Sequence, residues 1–401
     1  MRIGTLFVAA AALLASAAAS SAETPVKIGI LNDRSGLYAD LGGEGSVVAA
    51  KMAIEEFKAA EKGLKVEVVS ADHQNKSDIA VNKAREWYDQ DGVDAIFDVP
   101  NSGVALAVSA LTQEKNKIFI DSGAASSDLT GAKCSPNTLH WTYDTWELAH
   151  GTGSAMVKAG GATWFFLTAD YAFGHSLERD TAAVVTAEGG KVLGSVKHPL
   201  NTQDFSSFLL QAQSSGANVV GLANAGGDTI NSIKQASEFG IVQGGQKLAG
   251  LLVFLSDVHS LGLKTAQGIV LTAPFYWDLN DGTRAFADRF MKQTNRRPTM
   301  VQAGVYSAVL HYLKAVQAAG GAKDALAVVA KMKEMPAEDQ AFGKSTVRAD
   351  GRVIHDSYLF EVKKPEESKG PWDYYKMISA TPAEKAFRPM SEGGCPLVAG
   401  K

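Results

Sequence analysis

Cysteine is almost absent from this chain: Cys134 and Cys395 are the only two in 401 residues. Two thiols cannot build a cysteine-only zinc site or a disulfide-rich scaffold. Neither sign of charge dominates, with 39 Lys and Arg against 43 Asp and Glu and a net charge of −4. The charges are dispersed, so the clustered basic face of a nucleic-acid binder is missing, and no nucleic-acid partner is expected. Beyond residue 22 no uncharged apolar run approaches the ~20 residues that span a bilayer. The eight histidines are scattered, with no His-Glu-x-x-His pair and no Cys-x-x-Cys. No resident metal or cofactor is therefore expected; Asp72-His73 after a strand reads as turn chemistry. What remains, 46% hydrophobic and 20% charged, is the composition of a packed globular protein. Its length suits two or three domains.

The first 22 residues differ from the rest. Arg2 gives a positive start, 3–14 is an apolar run, and Ser20-Ser21-Ala22 supplies small residues at a cleavage position. That layout is a secretory signal peptide over 1–22, with Glu23 as the new N-terminus. The apolar core is too short and too rich in Ala and Ser for a retained anchor. Export to the periplasm is the expectation.

After residue 22 short apolar strands alternate with helical patterns. Strands are read at 26–31, 65–70, 95–99 and 117–121, with helices at 46–60, 79–90 and 104–114 between them. The rhythm restarts after 145, with strands at 164–168, 191–196, 218–222 and 248–254. This alternation predicts an α/β fold with parallel sheets covered by helices on both faces. With no flexible joint between the two units, they read as lobes that touch across a cleft. A third region, 283–335, is mainly helical, clearest at 284–294 and 301–319. A strand at 358–362 then leads to an irregular tail over 363–401, expected to pack on the body through Trp372, Tyr374, Tyr375 and Phe387.

Catalytic motifs are broken. Gly174-His175-Ser176-Leu177-Glu178 imitates a nucleophile elbow without its closing glycine. Gly343-Lys344-Ser345 resembles the end of a phosphate-binding loop, but Glu338 stands where the first glycine belongs. A secreted α/β enzyme such as a hydrolase stays open as the alternative, because triads form in space and not in linear order. The positive signal lies elsewhere. Two small polar turns, Asp98-Val99-Pro100-Asn101-Ser102-Gly103 and Asp121-Ser122-Gly123-Ala124-Ala125-Ser126-Ser127-Asp128, follow neighbouring strands. Open α/β sheets bind ligands beyond the carboxyl ends of their strands, where helix starts offer N–H groups to an anion. Helix capping by Ser102 and Ser127 is the plainer alternative for either serine.

These residues resemble the periplasmic solute-binding components of ABC transporters, in the branched-chain amino acid-binding group with the type I fold. The resemblance spans nearly all of the chain after the signal. It rests on Val26-Lys27-Ile28-Gly29-Ile30-Leu31 leading to Ser35-Gly36-Leu37-Tyr38 and Gly42-Gly43, and on Ser70-Ala71-Asp72-His73-Gln74-Asn75. Ser102, the Gly123-Ala124-Ala125 turn, Asp170-Tyr171-Ala172-Phe173-Gly174 and Asp204-Phe205-Ser206 continue it.

The resemblance implies two Rossmann-like lobes hinged by three crossovers. The N-terminal lobe would take 23–143 plus 276–347, and the C-terminal lobe 144–275 plus 348–375. A tail, 376–401, would pack on the N-terminal lobe. A small solute would be trapped between the lobes and delivered to a membrane permease, with the protein working as a monomer and not as an enzyme. By resemblance, Ser102 grips the ligand carboxylate, Gly123 and Ala125 supply backbone contacts, and Phe173 closes over the solute beside Tyr171. Tyr38 and Tyr143 join them as aromatic residues in loops beside Gly, Asp or Thr. Ala125 stands where amino acid binders of the group place a threonine. The acidic partner of the ammonium group is matched only by Asp257. Both departures put an amino acid in doubt, so the solute stays open among a branched-chain amino acid, an aromatic acid and a small amide. Finally, an oxidising compartment favours a disulfide between Cys134 and Cys395.

Overall fold

The architecture was examined in a computed structural model, which describes residues 23–398; the expected signal peptide lies outside them. Strands β1 (Thr24–Asn32), β2 (Leu64–Asp72), β3 (Ala95–Phe97), β4 (Ile118–Asp121) and β5 (Thr138–His140) form a parallel sheet in the order β2-β1-β3-β4-β5. β3 and β4 are buried along their whole length, which is why they read as unbroken apolar runs. At the middle of β1 a side chain on Gly29 would fall 2.5 Å from the Trp87 ring. The glycine lets that indole lie flat against the sheet. A second parallel sheet holds β6 (Thr163–Ala169), β7 (Lys191–His198), β8 (Val219–Ala223) and β9 (Lys247–Gly250) in the order β7-β6-β8-β9. Two separate parallel sheets are what the resemblance implies for two lobes.

The later chain returns to both lobes. β10 (Val270–Ala273) ends the second unit, and the helices Asp281–Thr294 and Met300–Ala319 pack back against the first-lobe helix Gly43–Phe57. Thr299 caps the longer of them: its hydroxyl accepts from Gln302 N (3.3 Å) while Gln302 Oε1 accepts from Thr299 N (3.0 Å). The same two side chains donate to Leu41 O (2.5 Å) and Gly42 O (3.0 Å), fixing the loop that carries Tyr38. β11 (Ala337–Asp339), β12 (Gly343–Val347) and β13 (Val353–Ile354) form a small antiparallel sheet. β14 (Ser357–Val362) then pairs with β10 on one side and β15 (Tyr375–Thr381) on the other.

Two sequence readings change. The run 248–254 is not one strand: β9 stops at Gly250, and Leu251 to Phe254 turn toward the other lobe. A short apolar run does not reveal whether it continues straight. Within the tail, Tyr375–Thr381 is regular and not irregular. As the edge strand of its sheet it is exposed from Lys376 onward, so it shows no alternation to read. Beyond it, the Phe387 ring packs edge-on to His355 (5.0 Å between centroids) and lies 4.1 Å from the Arg352 guanidinium. Arg388 Nη2 donates to Ser127 O (2.8 Å). Cys134 and Cys395 are joined in a disulfide, with Cα atoms 5.6 Å apart. Among the described residues no helix is long and apolar enough to cross a membrane.

Candidate ligand-binding cleft

The first-lobe wall is held by side chains that spend themselves on backbone N–H groups. Asp33, fully buried after β1, accepts from Gly36 N (2.8 Å) and Tyr38 N (2.9 Å), and Asn75 Nδ2 donates to it as well (2.6 Å). That Asx-type turn presents the Tyr38 ring to the cleft. After β3, Asn101 caps the helix Ser102–Glu114 by accepting from Gly103 N (3.0 Å) and Val104 N (3.2 Å). Ser102 Oγ is thereby left to accept from Ala125 N (3.3 Å) and Ser126 N (3.2 Å) of the next turn. Asp121 Oδ1 takes Gly123 N (3.1 Å) and Ala124 N (3.2 Å), and Tyr143 donates its hydroxyl to Gly123 O (2.6 Å). The backbone donors of the Gly123–Ser126 turn, read from sequence as free for an anion, are thus engaged inside the lobe.

The second lobe supplies the facing wall. Tyr171 and Phe173 sit where β6 turns into the helix Ala172–Ala187, with ring centroids 5.9 Å apart. The Tyr171 and Tyr38 hydroxyls are hydrogen-bonded across the cleft. Beside them Gly227 N donates to Leu37 O (3.1 Å). Phe254 meets the Tyr143 ring edge-on at 5.8 Å. Asp257 is buried one turn into the next helix, where Oδ2 accepts from Phe254 N (2.9 Å).

Six of the residues singled out from sequence therefore line one small space of about 10 Å³: Tyr38, Gly123, Ala125, Tyr143, Tyr171 and Phe173. Ser102 and Asp257 are not on its wall; each stands behind it, tying a wall segment in place. Leu41, Pro100, Ala225, Leu252 and Phe254 complete the lining and were not singled out. Pro100 directly follows the strand read at 95–99 and Ala225 lies three residues past the one read at 218–222, and that position was the available signal. No charged residue lines the space. Burial pushes the Tyr38, Tyr143 and Tyr171 hydroxyls well above the ordinary phenol range, so all three remain protonated. Behind the wall, burial raises the carboxyls of Asp98 to about 6 and Asp121 to about 8.

The broken catalytic motifs stay broken in space. Ser176 Oγ is buried 3.1 Å from Ser126 Oγ, while His175 Nε2 faces Asp170 Oδ1 (2.8 Å) at the surface. Gly343-Lys344-Ser345 lies in β12 and not in a loop. His73 Nδ1 accepts from Asn75 N (2.9 Å). No cluster of three or more metal-ligating side chains occurs among the described residues.

Comparison with known proteins agrees with this geometry. The family model described as periplasmic binding protein matches residues 25–371. A Leu/Ile/Val-binding protein homolog 6 from Brucella melitensis is 26% identical over 373 residues, covering 89% of this chain and 93% of the relative. The crystal structure of a periplasmic binding protein from Burkholderia mallei is 54% identical with a TM-score of 0.91, covering 94% of this chain and 99% of that one. A branched chain amino acid ABC transporter periplasmic ligand-binding protein from Burkholderia xenovorans is 43% identical with a TM-score of 0.82, covering 93% and 99%. The chain belongs to the periplasmic binding protein family and is a solute-binding component of an ABC transporter, not an enzyme.

Proposed function

We propose that this protein carries a small planar solute with a single polar end, an aromatic acid or aromatic amide, to a membrane permease. One observation carries the reading: the space between the lobes is walled by the rings of Tyr38, Tyr143, Tyr171, Phe173 and Phe254 and by no charged side chain. Flat rings offer a planar body large contact area. An ammonium group shut into that space would lose its water without gaining a partner, a cost of several kcal/mol or about a hundredfold or more in affinity. Branched-chain amino acids, suggested by the description of the B. xenovorans relative, fit this lining less well. Asp257, the residue matched to an ammonium partner, is occupied by Phe254 N.

A space of about 10 Å³ admits one water at most. Entry of a solute therefore requires the lobes to part at the Tyr38–Tyr171 contact and then to re-close, as hinge-bending binders do. In this reading the lobes are 23–143 with 276–347 and 144–275 with 348 onward, the second reaching Thr381 through β15. The chain would be exported by cleavage after Ala22 and act as a monomer. Thermal-shift and calorimetric screening should show stabilisation by benzoate or benzamide, growing with concentration as RT ln(1 + [L]/Kd), and none by leucine or valine. Tight binding of leucine would overturn the proposed solute class.

A further inference from the structure

Two buried carboxyls stand directly behind the first-lobe wall with nothing to neutralise them. Asp98 follows β3 with a left-handed backbone (φ 58°) and is fully buried. Its Oδ2 accepts from Asn32 Nδ2 (2.9 Å), while Oδ1 has no hydrogen-bond partner. An atom at a Gly123 Cβ position would lie 2.8 Å from Oδ1, and one on Gly42 would lie 3.0 Å from Oδ2. Gly123 lines the cavity, as do Pro100 and Leu41 on either side of that contact. The Asp98 carboxyl is thus enclosed by the segments that form the first-lobe wall, one residue deep. Asp121 backs the same turn, with Oδ2 also unpartnered. The groups facing this pair are the Asn32 amide, the Ser46 hydroxyl, the Tyr143 phenol and His140, which is in register with Asp121 on β5. His140 Nε2 is engaged with Ala124 O (2.7 Å), and burial with the nearby Arg352 charge keeps its ring neutral. Neither carboxyl forms an ion pair among the described residues.

We infer that Asp98, backed by Asp121, makes the cleft select a solute whose first-lobe end is uncharged and donates a hydrogen bond, an amide, over the isosteric carboxylate. The inference rests on the proposed solute class and narrows it. A carboxylate brought to the Gly123 turn near pH 7.5 meets the like charge of Asp98 in a low-dielectric setting, and increasingly that of Asp121 as pH rises through about 8, with the turn's own N–H groups already engaged. An amide brings no charge, and the positive end of its N–H dipole faces the Asp98 carboxylate through the Gly123 turn. The raised carboxyls support the direction, because burial without a counter-charge is what raises them.

The test is calorimetry on the mature protein near pH 7.5 with benzamide and benzoate, repeated with Asp98→Asn. Asparagine tolerates a left-handed backbone and can still accept from Asn32, so the variant keeps the local fold; circular dichroism and a melting curve check this. The wild type should bind benzamide at least about tenfold more tightly than benzoate. Asp98→Asn should shrink that ratio mainly by tightening benzoate; if it proves unstable, Asp121→Asn read at pH 9, where the Asp121 carboxyl would be ionised, should shift it the same way. Equal or tighter binding of benzoate by the wild type, or an unchanged ratio in the variants, overturns the role of Asp98 alone. Failure of both probes to bind overturns the solute class and this inference with it.

Discussion

At Gly226 the backbone of the second lobe meets the Tyr38 loop of the first, where the neighbouring Gly227 N donates to Leu37 O (3.1 Å). The Gly226 φ of 57° and ψ of −130° lie in a region open to glycine alone, and a Cβ there would fall 2.4 Å from Leu37 O. Gly226→Ala should hold the second lobe off the Tyr38 loop. The backbone penalty alone is about 1–2 kcal/mol, so solute affinity should drop at least about tenfold while circular dichroism stays unchanged. Unaltered affinity in calorimetry would mean that binding does not need Leu37 and Gly226 to meet. At this scale the sequence was informative about rings and glycines and less so about polar groups. Tyr38, Tyr143, Tyr171 and Phe173 come together because each follows a strand end or crossover, a position that can be read in one dimension. Ser102 and Asp257 do not reach the wall because backbone N–H groups from neighbouring turns claim their oxygens. Which donor claims an oxygen is decided only once the turns are packed.

At the scale of elements, strands buried on both faces were legible, as were the edge strands β2 and β7 that alternate in burial, while the edge strand exposed almost throughout was not. β3 and β4 announce themselves as apolar runs, whereas β15 pairs on one side only and carries exposed Met377 and Ile378. The disulfide that anchors the chain after β15 joins residues 261 positions apart. Replacing both cysteines, Cys134→Ser with Cys395→Ala, should cost about 2–4 kcal/mol of unfolding free energy. Chemical denaturation checks the magnitude, and limited proteolysis should cut the variant first between Pro382 and Cys395. A loss below about 0.5 kcal/mol would mean that the tail is ordered by the Phe387 and Arg388 contacts without the bond.

For the whole molecule the buried titratable groups set a pH response whose sign can be worked out. Burial raises Glu147 and Asp121 to about 8, Asp228 and Asp257 to about 7, and Asp98 to about 6. A carboxyl raised on folding contributes stability that is fully present below its unfolded value near 4 and is lost as pH rises through the folded value. Burial lowers His73 and His355 to about 4. Their contribution is present above about 6.5 and is lost as pH falls toward 4. Above about pH 6.5 the histidines no longer oppose the carboxyls, so the melting temperature should fall steadily from about pH 6.5 to 8.5. Glu147→Gln should flatten part of that slope. A level profile across the window in both proteins would show that these carboxyls are not buried as the fold implies.

The path of the tail has a consequence for connectivity. β15 pairs with β14 and through it with β10, in the stretch assigned above to the second lobe, yet fourteen residues past its end Cys395 is bonded to Cys134 beside the first sheet. From residue 134 to residue 395 the polypeptide is therefore a closed ring, and in the proposed division every passage between the lobes lies on it. A single cut in any hinge segment opens that ring into a line without releasing a fragment, so both lobes remain one covalent body for as long as the bond is oxidised.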